Sequence, residues 1–226
     1  MQNVRMIFLT KLSLQKFLSL LDKLTPDQKK FVEQMGFGFL LDLSCTELPR
    51  ALVKWLVQHF VPSTRFFELP SGFKFMLNSY TVHCVLGIPL GGRVIPRVCG
   101  DEFRKHVKSQ THCAGHTPTV RELMDLIVPE LDEVDFKRLF MMFAIATLLS
   151  PTSYECVSPD LFGALEGPVS DICLYDWSGA VADKLVLCIE RFNEKGCTGA
   201  LGGCLLVPVV SFISLVLFFF FASSDV

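Results

Sequence analysis

The sequence predicts a mainly α protein: a multi-helix globular domain with one small β-hairpin and a C-terminal hydrophobic helix. Three observations carry this. Apolar residues recur at helical spacing in block after block, each block bounded by a capping residue, a glycine or a proline. Only one pair of β-prone runs, Arg65–Leu69 and Phe73–Leu77, flanks a turn signal, Pro70-Ser71-Gly72. From Gly196 to Ser224 there is no charged residue.

Residues 1–24 read as an amphipathic N-terminal helix, with Leu9, Leu12, Phe17, Leu20, Leu21 and Leu24 on one side. Lys11 and Lys16 interrupt what would otherwise be the apolar stretch of a signal peptide. Thr25, Pro26 and Gln28 form a capping box with proline in the first helical position, and Gly36 suits the left-handed residue that ends that helix. The next helix starts near Pro49, presents Leu52, Trp55, Leu56 and Phe60 to the core, and stops at Pro62. After the hairpin, Asn78 or Ser79 caps a helix terminated by Gly87.

Residues 93–118 read as a polar loop. Beyond it, Thr119 with Glu122 makes a second capping box. Phe136, Leu139, Phe140, Phe143, Thr147 and Leu148 form an apolar stripe expected at the centre of the core. A short helix through Leu161, Phe162 and Leu165 and a longer one from about Tyr175 to Lys195 complete a domain spanning 25–204.

The chain has 226 residues, half of them hydrophobic and 21 of them Phe, enough for one full core. Its net charge of −2 offers no overall attraction to phosphate, so nucleic acid is not supported as a partner by charge. Nine cysteines, an odd number, read as reduced thiols rather than a disulfide framework. Cys45, Cys84, Cys156, Cys173 and Cys188 sit among apolar neighbours and are expected to be small buried hydrophobes.

The order of landmarks carries a resemblance. Gly36 and Gly38 follow a helix, Leu43 to Pro49 contains Cys45, Trp55 lies in the next helix, and Gly87, Ile88, Pro89, Gly91 and Gly92 come after. A second block, Thr147 to Pro159, is followed by Tyr175, Trp177 and Gly202 to Leu206. Together these span roughly Thr25 to Leu206 and resemble the plant mobile domain, labelled aminotransferase-like in some descriptions, found in transposon-derived plant proteins. They are especially similar to the version preceding a ubiquitin-like, SUMO-type cysteine protease domain in grass proteins. The resemblance implies a nuclear interaction module with an unknown protein partner, or a regulatory remnant of such a protease.

No catalytic or cofactor-binding residue is assigned, and no cofactor is expected. The protease domain of similar proteins supplies a His before Trp and a Cys between Asp and Gly, and neither arrangement occurs here. His83 beside Cys84 is no pair, since adjacent helical residues point about a hundred degrees apart. Lys184 and Lys195 lie on an amphipathic helix, without the phosphate cup that pyridoxal chemistry needs. The glycines match no phosphate-binding fingerprint. In the polar interval, Cys99, His106, His112, Cys113 and His116 could supply zinc ligands, but their spacing fits no standard zinc module and no metal site is assigned.

The hydrophobic tail, 205–222, has two readings. It is long enough for a transmembrane candidate, and Arg191 and Lys195 before it would leave the body in the cytosol, making a tail-anchored membrane protein. Alternatively the run through Leu206 is a core helix and the remainder an exposed apolar tail, with Phe218–Phe221 prone to association.

Overall fold

The computed structural model describes residues 9–111, 117–152, 157 and 159–222, which form a mainly helical fold with two small sheets. The described residues begin with strand β1 (Leu9–Thr10), and their first helix, α1, covers only Leu14–Leu21. The continuous helix expected over 1–24 is therefore corrected where it can be seen, while residues 1–8 lie outside the described residues. The backbone explains the change: β1 pairs in parallel with β5 (Ala200–Leu201), Lys11 N donates to Leu201 O, and Ser13 N donates to Thr147 O. Those bonds satisfy the chain in extended form until α1 begins.

Helix α2 (Pro26–Gln34) has the expected reciprocal cap, Gln28 N donating to Thr25 Oγ1 and Thr25 N to Gln28 Oε1. A short 3-10 turn (Gly38–Asp42) leads to α3 (Arg50–Gln58). Strands β2 (Phe60–Val61), β3 (Phe66–Glu68) and β4 (Lys74–Met76) make an antiparallel sheet in the order β2-β3-β4, so the hairpin gains a third strand from the residues after α3. Helix α4 (Ser79–Leu86) is capped by Asn78 and ends at Gly87, whose φ of 61° is left-handed. A side chain at Gly87 would also place its Cβ 2.4 Å from Phe39.

The polar interval 93–118 is not all loop, because it contains helix α5 (Asp101–Thr111). Phe103, Val107 and Thr111 recur every four residues and are buried, which is enough of a stripe to hold an otherwise polar helix. Helix α6 (Val120–Leu126) carries the Thr119–Glu122 capping box.

Helix α7 (Glu133–Ala144), capped by Asp132, forms the centre. Phe136, Phe140 and Phe143 are fully buried, and Phe17 of α1 stacks on Phe143 at 6.3 Å while Phe31 of α2 meets Phe136 at 6.0 Å. Lys137 is buried too, bonded to Gln34 and Glu133 and lying over the Phe31 ring. The helix then widens into a π turn (Ile145–Leu149), closed by Ser150 N donating to Ile145 O.

Two 3-10 turns (Pro159–Ala164, Val169–Leu174) precede α8 (Trp177–Glu194), which packs on α4 and buries Trp177, Val181, Leu185, Ile189 and Phe192. Helix α9 (Leu206–Ala222) packs against α3 and α4. Its first turn is core: Leu206, Val207 and Val209 are buried, as are Cys204 and Leu205 before it. The tail at 205–222 is thus divided. Beyond Val209 the described helix extends only about 20 Å, against roughly 30 Å of bilayer hydrocarbon. Among the described residues no helix is long and apolar enough to cross a membrane.

Candidate functional site

Sequence reasoning places Trp55 in the core, and the structure places it at an edge. The fully buried stripe of α3 is Val53, Leu56 and Val57, continuing to Phe60, while Leu52 and Trp55 are half-buried on its flank. Two overlapping stripes fit helical spacing here, and a large aromatic favours the wrong one. On that flank Trp55 meets Phe212 of α9 edge-on at 5.6 Å. Its carbonyl holds the His59 ring through Nδ1 at 2.7 Å, which keeps the imidazole against the indole.

The hairpin provides the opposite wall. Its turn carries Leu69, Pro70 and Phe73, and Phe73 meets Phe219 edge-on at 5.2 Å. Between α3, the hairpin and α9 lies an open groove of about 520 Å³, lined by Trp55, Leu69, Pro70, Phe73, Phe212 and Phe219 among others. Ser71 alone adds a side-chain hydroxyl. Such a lining can offer apolar and aromatic contact but no acid, base or nucleophile. The groove continues onto the outer surface of α9, where Ile213, Val216, Leu217 and Phe218–Phe221 are 42 % to 68 % exposed.

A second, more polar cleft of about 670 Å³ lies along α8, where Arg65, Arg97, Asp160, Asp183, Lys184 and Glu190 contribute charge. Much of that charge is internally matched. Arg65 pairs with Asp183 at 2.7 Å, and Lys184 pairs with Asp160. Asp176 caps α8 by accepting from Gly179 N and also accepts from Gly91 N. Lys184, expected in solvent, is largely covered by its ion pair.

The cysteines and histidines do not converge. Cys99 is buried and accepts from Arg104 Nε at 3.4 Å, a contact that raises the Arg104 pKa, whereas His106 is exposed on α5. His112, Cys113 and His116 lie outside the described residues. Among the described residues no group of three or more His, Cys, Asp or Glu side chains is placed to hold a metal ion. The His83 ring engages Ile88 O at 2.8 Å through Nδ1.

The expectation of buried thiols needs correction. Cys84 is exposed and Cys45, Cys173 and Cys188 are only half-buried, while Cys156 lies outside the described residues. Apolar neighbours in sequence do not fix the side of a helix or loop on which a residue falls. Desolvation raises the Cys188 thiol, and it pushes the fully buried Cys204 up to about 12, where it stays a neutral thiol. Exposed Tyr80 is raised through its hydrogen bond to Cys84.

A family model described as "Domain of unknown function (DUF8566)" matches residues 10–209. No curated protein and no solved structure matches the chain. The match begins within β1 and stops at Val209, the last fully buried residue of α9. Trp55 and the hairpin wall of the groove fall inside it, and the wall from Phe212 onward falls outside.

Proposed function

The chain belongs to the DUF8566 family, and from that premise we propose that it is a non-catalytic interaction module that binds an apolar partner surface at the groove between α3, the hairpin and α9. One observation carries the proposal: among the described residues the largest cluster of exposed apolar side chains, Ile213 with Val216 to Phe221, adjoins a groove walled by Trp55 and Phe73. Aromatic-rich concavities of this kind are where binding energy concentrates, and exposed patches of this size mark interaction sites. The resemblance to the plant mobile domain supports the same reading and suggests a nuclear setting. Within it, the chain is a transposon-derived domain with an interaction or a regulatory role.

A second reading, attachment to a membrane, is favoured by Phe218–Phe221, which are exposed with no charge beside them before Asp225. Here α9 would dip into one leaflet from a cytosolic body, because its first turn is held in the core.

Photo-crosslinking separates the readings. With p-benzoylphenylalanine in place of Phe220, the module predicts a discrete protein adduct in cells, lost when Phe73→Ser is added. Adducts confined to lipid would replace the module with the membrane reading. No adduct above that of an exposed control position such as Lys54 would sink both.

A further inference from the structure

We infer that the occupant of this groove is a second copy of the same chain, paired about a two-fold axis so that the ridge of Phe218, Phe220 and Phe221 on each α9 seats in the Trp55–Phe73 groove of the other. The inference rests on the interaction-module reading and names its partner. The surface carries both halves of a joint. Phe218, Phe220 and Phe221 stand 64 % to 68 % exposed as a ridge, and the groove of about 520 Å³ opens beside them. A two-fold interface requires one patch that complements itself, and a ridge next to a groove on the same helix meets that requirement.

Area points the same way. A phenylalanine offers roughly 150–250 Å² when fully buried, so Phe218, Phe220 and Phe221 at about two-thirds exposure, with Ile213 and Leu217, amount to on the order of 550 Å². A stable complex covers about 800 Å² on each partner, and the largest apolar patch on a typical monomer is about 300–600 Å². Only with the groove wall of Trp55, Phe73, Phe212, Val216 and Phe219 added does the ridge approach one partner's share.

Charge selects among occupants. From Gly196 to Ser224 there is no Asp, Glu, Lys or Arg, so nothing on the ridge would pick out an acidic or basic ligand. A helix that lies in a membrane surface sets a Lys- and Arg-rich face opposite its apolar one. Helix α9 has no such face. A second copy offers what the patch lacks, an uncharged aromatic surface of matching shape, and pairs the two α9 helices side by side in opposite directions.

The test uses the full chain in sedimentation velocity at concentrations up to about 100 μM, because interfaces of this size range from micromolar to far tighter affinity. The expected result is one concentration-dependent step from monomer to dimer. Phe220→Ser with Phe221→Ser, on the ridge, and Phe73→Ser, in the groove, should each raise the dissociation constant at least tenfold, so the proposal does not rest on one variant folding well. In a mixture of ¹⁴N and ¹⁵N chains carrying p-benzoylphenylalanine in place of Phe220, adducts should join differently labelled copies at the Trp55 to Phe73 segment. A monomer throughout, open-ended aggregation without a dimer step, or adducts only within one copy would overturn self-pairing. If the purified chain is monomeric yet still cross-links to a different protein in cells, self-pairing alone fails and the interaction module survives.

Discussion

Helices α7 and α9 are both rich in phenylalanine, yet they meet opposite fates. In α7, Phe136, Phe140 and Phe143 are fully buried, ringed by α1, α2 and α6. In α9, Phe218, Phe219, Phe220 and Phe221 are half-exposed or more. The difference lies in spacing and company. The α7 rings recur at intervals of three and four, and from Leu139 to Ala144 the helix is buried on every side, so that even Lys137 is covered. The α9 rings are consecutive, so Phe219 turns toward the hairpin while Phe218, Phe220 and Phe221 fan over the rest of the helix, beyond the reach of the domain's own elements. A phenylalanine count therefore indicates how much apolar surface must be covered, while a helix's place among its neighbours decides whether the domain covers it alone.

The sharpest way to break this contrast is Phe140→Ala. Removing a fully buried ring from the α7 centre is expected to cost about 3–5 kcal/mol, read as a fall in the urea midpoint. A loss under about 1 kcal/mol would show that α7 is no more central than α9.

Next in size is a pH effect at the buried start of α9. Cys204 titrates near 9.0 when unfolded and is pushed up to about 12 by burial in the fold. Its neutral thiol contributes stability that is complete below pH 9 and is lost as pH rises toward 12, because only the unfolded state ionises in that window. The rise from 9.0 to about 12 corresponds to an upper bound of about 4 kcal/mol. Urea unfolding between pH 8 and 11 should fall more steeply for the wild type than for Cys204→Ala, and equal slopes would contradict the burial.

Gly87→Ala should cost about 1–3 kcal/mol, since alanine would be held at φ 61° with its Cβ against Phe39. Thermal melting checks it. Thr25→Ala removes the acceptor for Gln28 N and should cost about 1 kcal/mol. Smallest of all, Phe220→Ser should alter the stability of the isolated monomer by less than about 0.5 kcal/mol, measured at high dilution, because the ring is 68 % exposed in its own copy. A larger loss would mean that α9 is clamped to its own domain over its full length.

Elements whose signal is local could be read before the structure. The caps at Thr25, Asn78 and Thr119, the α7 stripe and the hairpin turn each declare themselves within a few residues. What escaped was decided at a distance. Helix α5 shows only Phe103 and Val107 amid charged residues, and its stripe gains meaning from neighbours such as Phe162, whose ring lies 6.4 Å from Phe103. Strands β1 and β5 are two residues each and pair across nearly the whole sequence. The division of α9 at Val209 was hidden because the apolar run passes through it without any change in pattern. For the groove, both aromatic walls were visible as residues, but Trp55 fits two stripes and its facing was settled only by Phe212.

The pairing of Leu9–Thr10 with Ala200–Leu201 sets the start of the described fold beside the segment that leads into α9, like the two posts of a gate. The same arrangement imposes an order on synthesis. The gate cannot shut until Leu201 has left the ribosome, so Leu9 and Thr10 wait, unpaired, through the making of almost everything between.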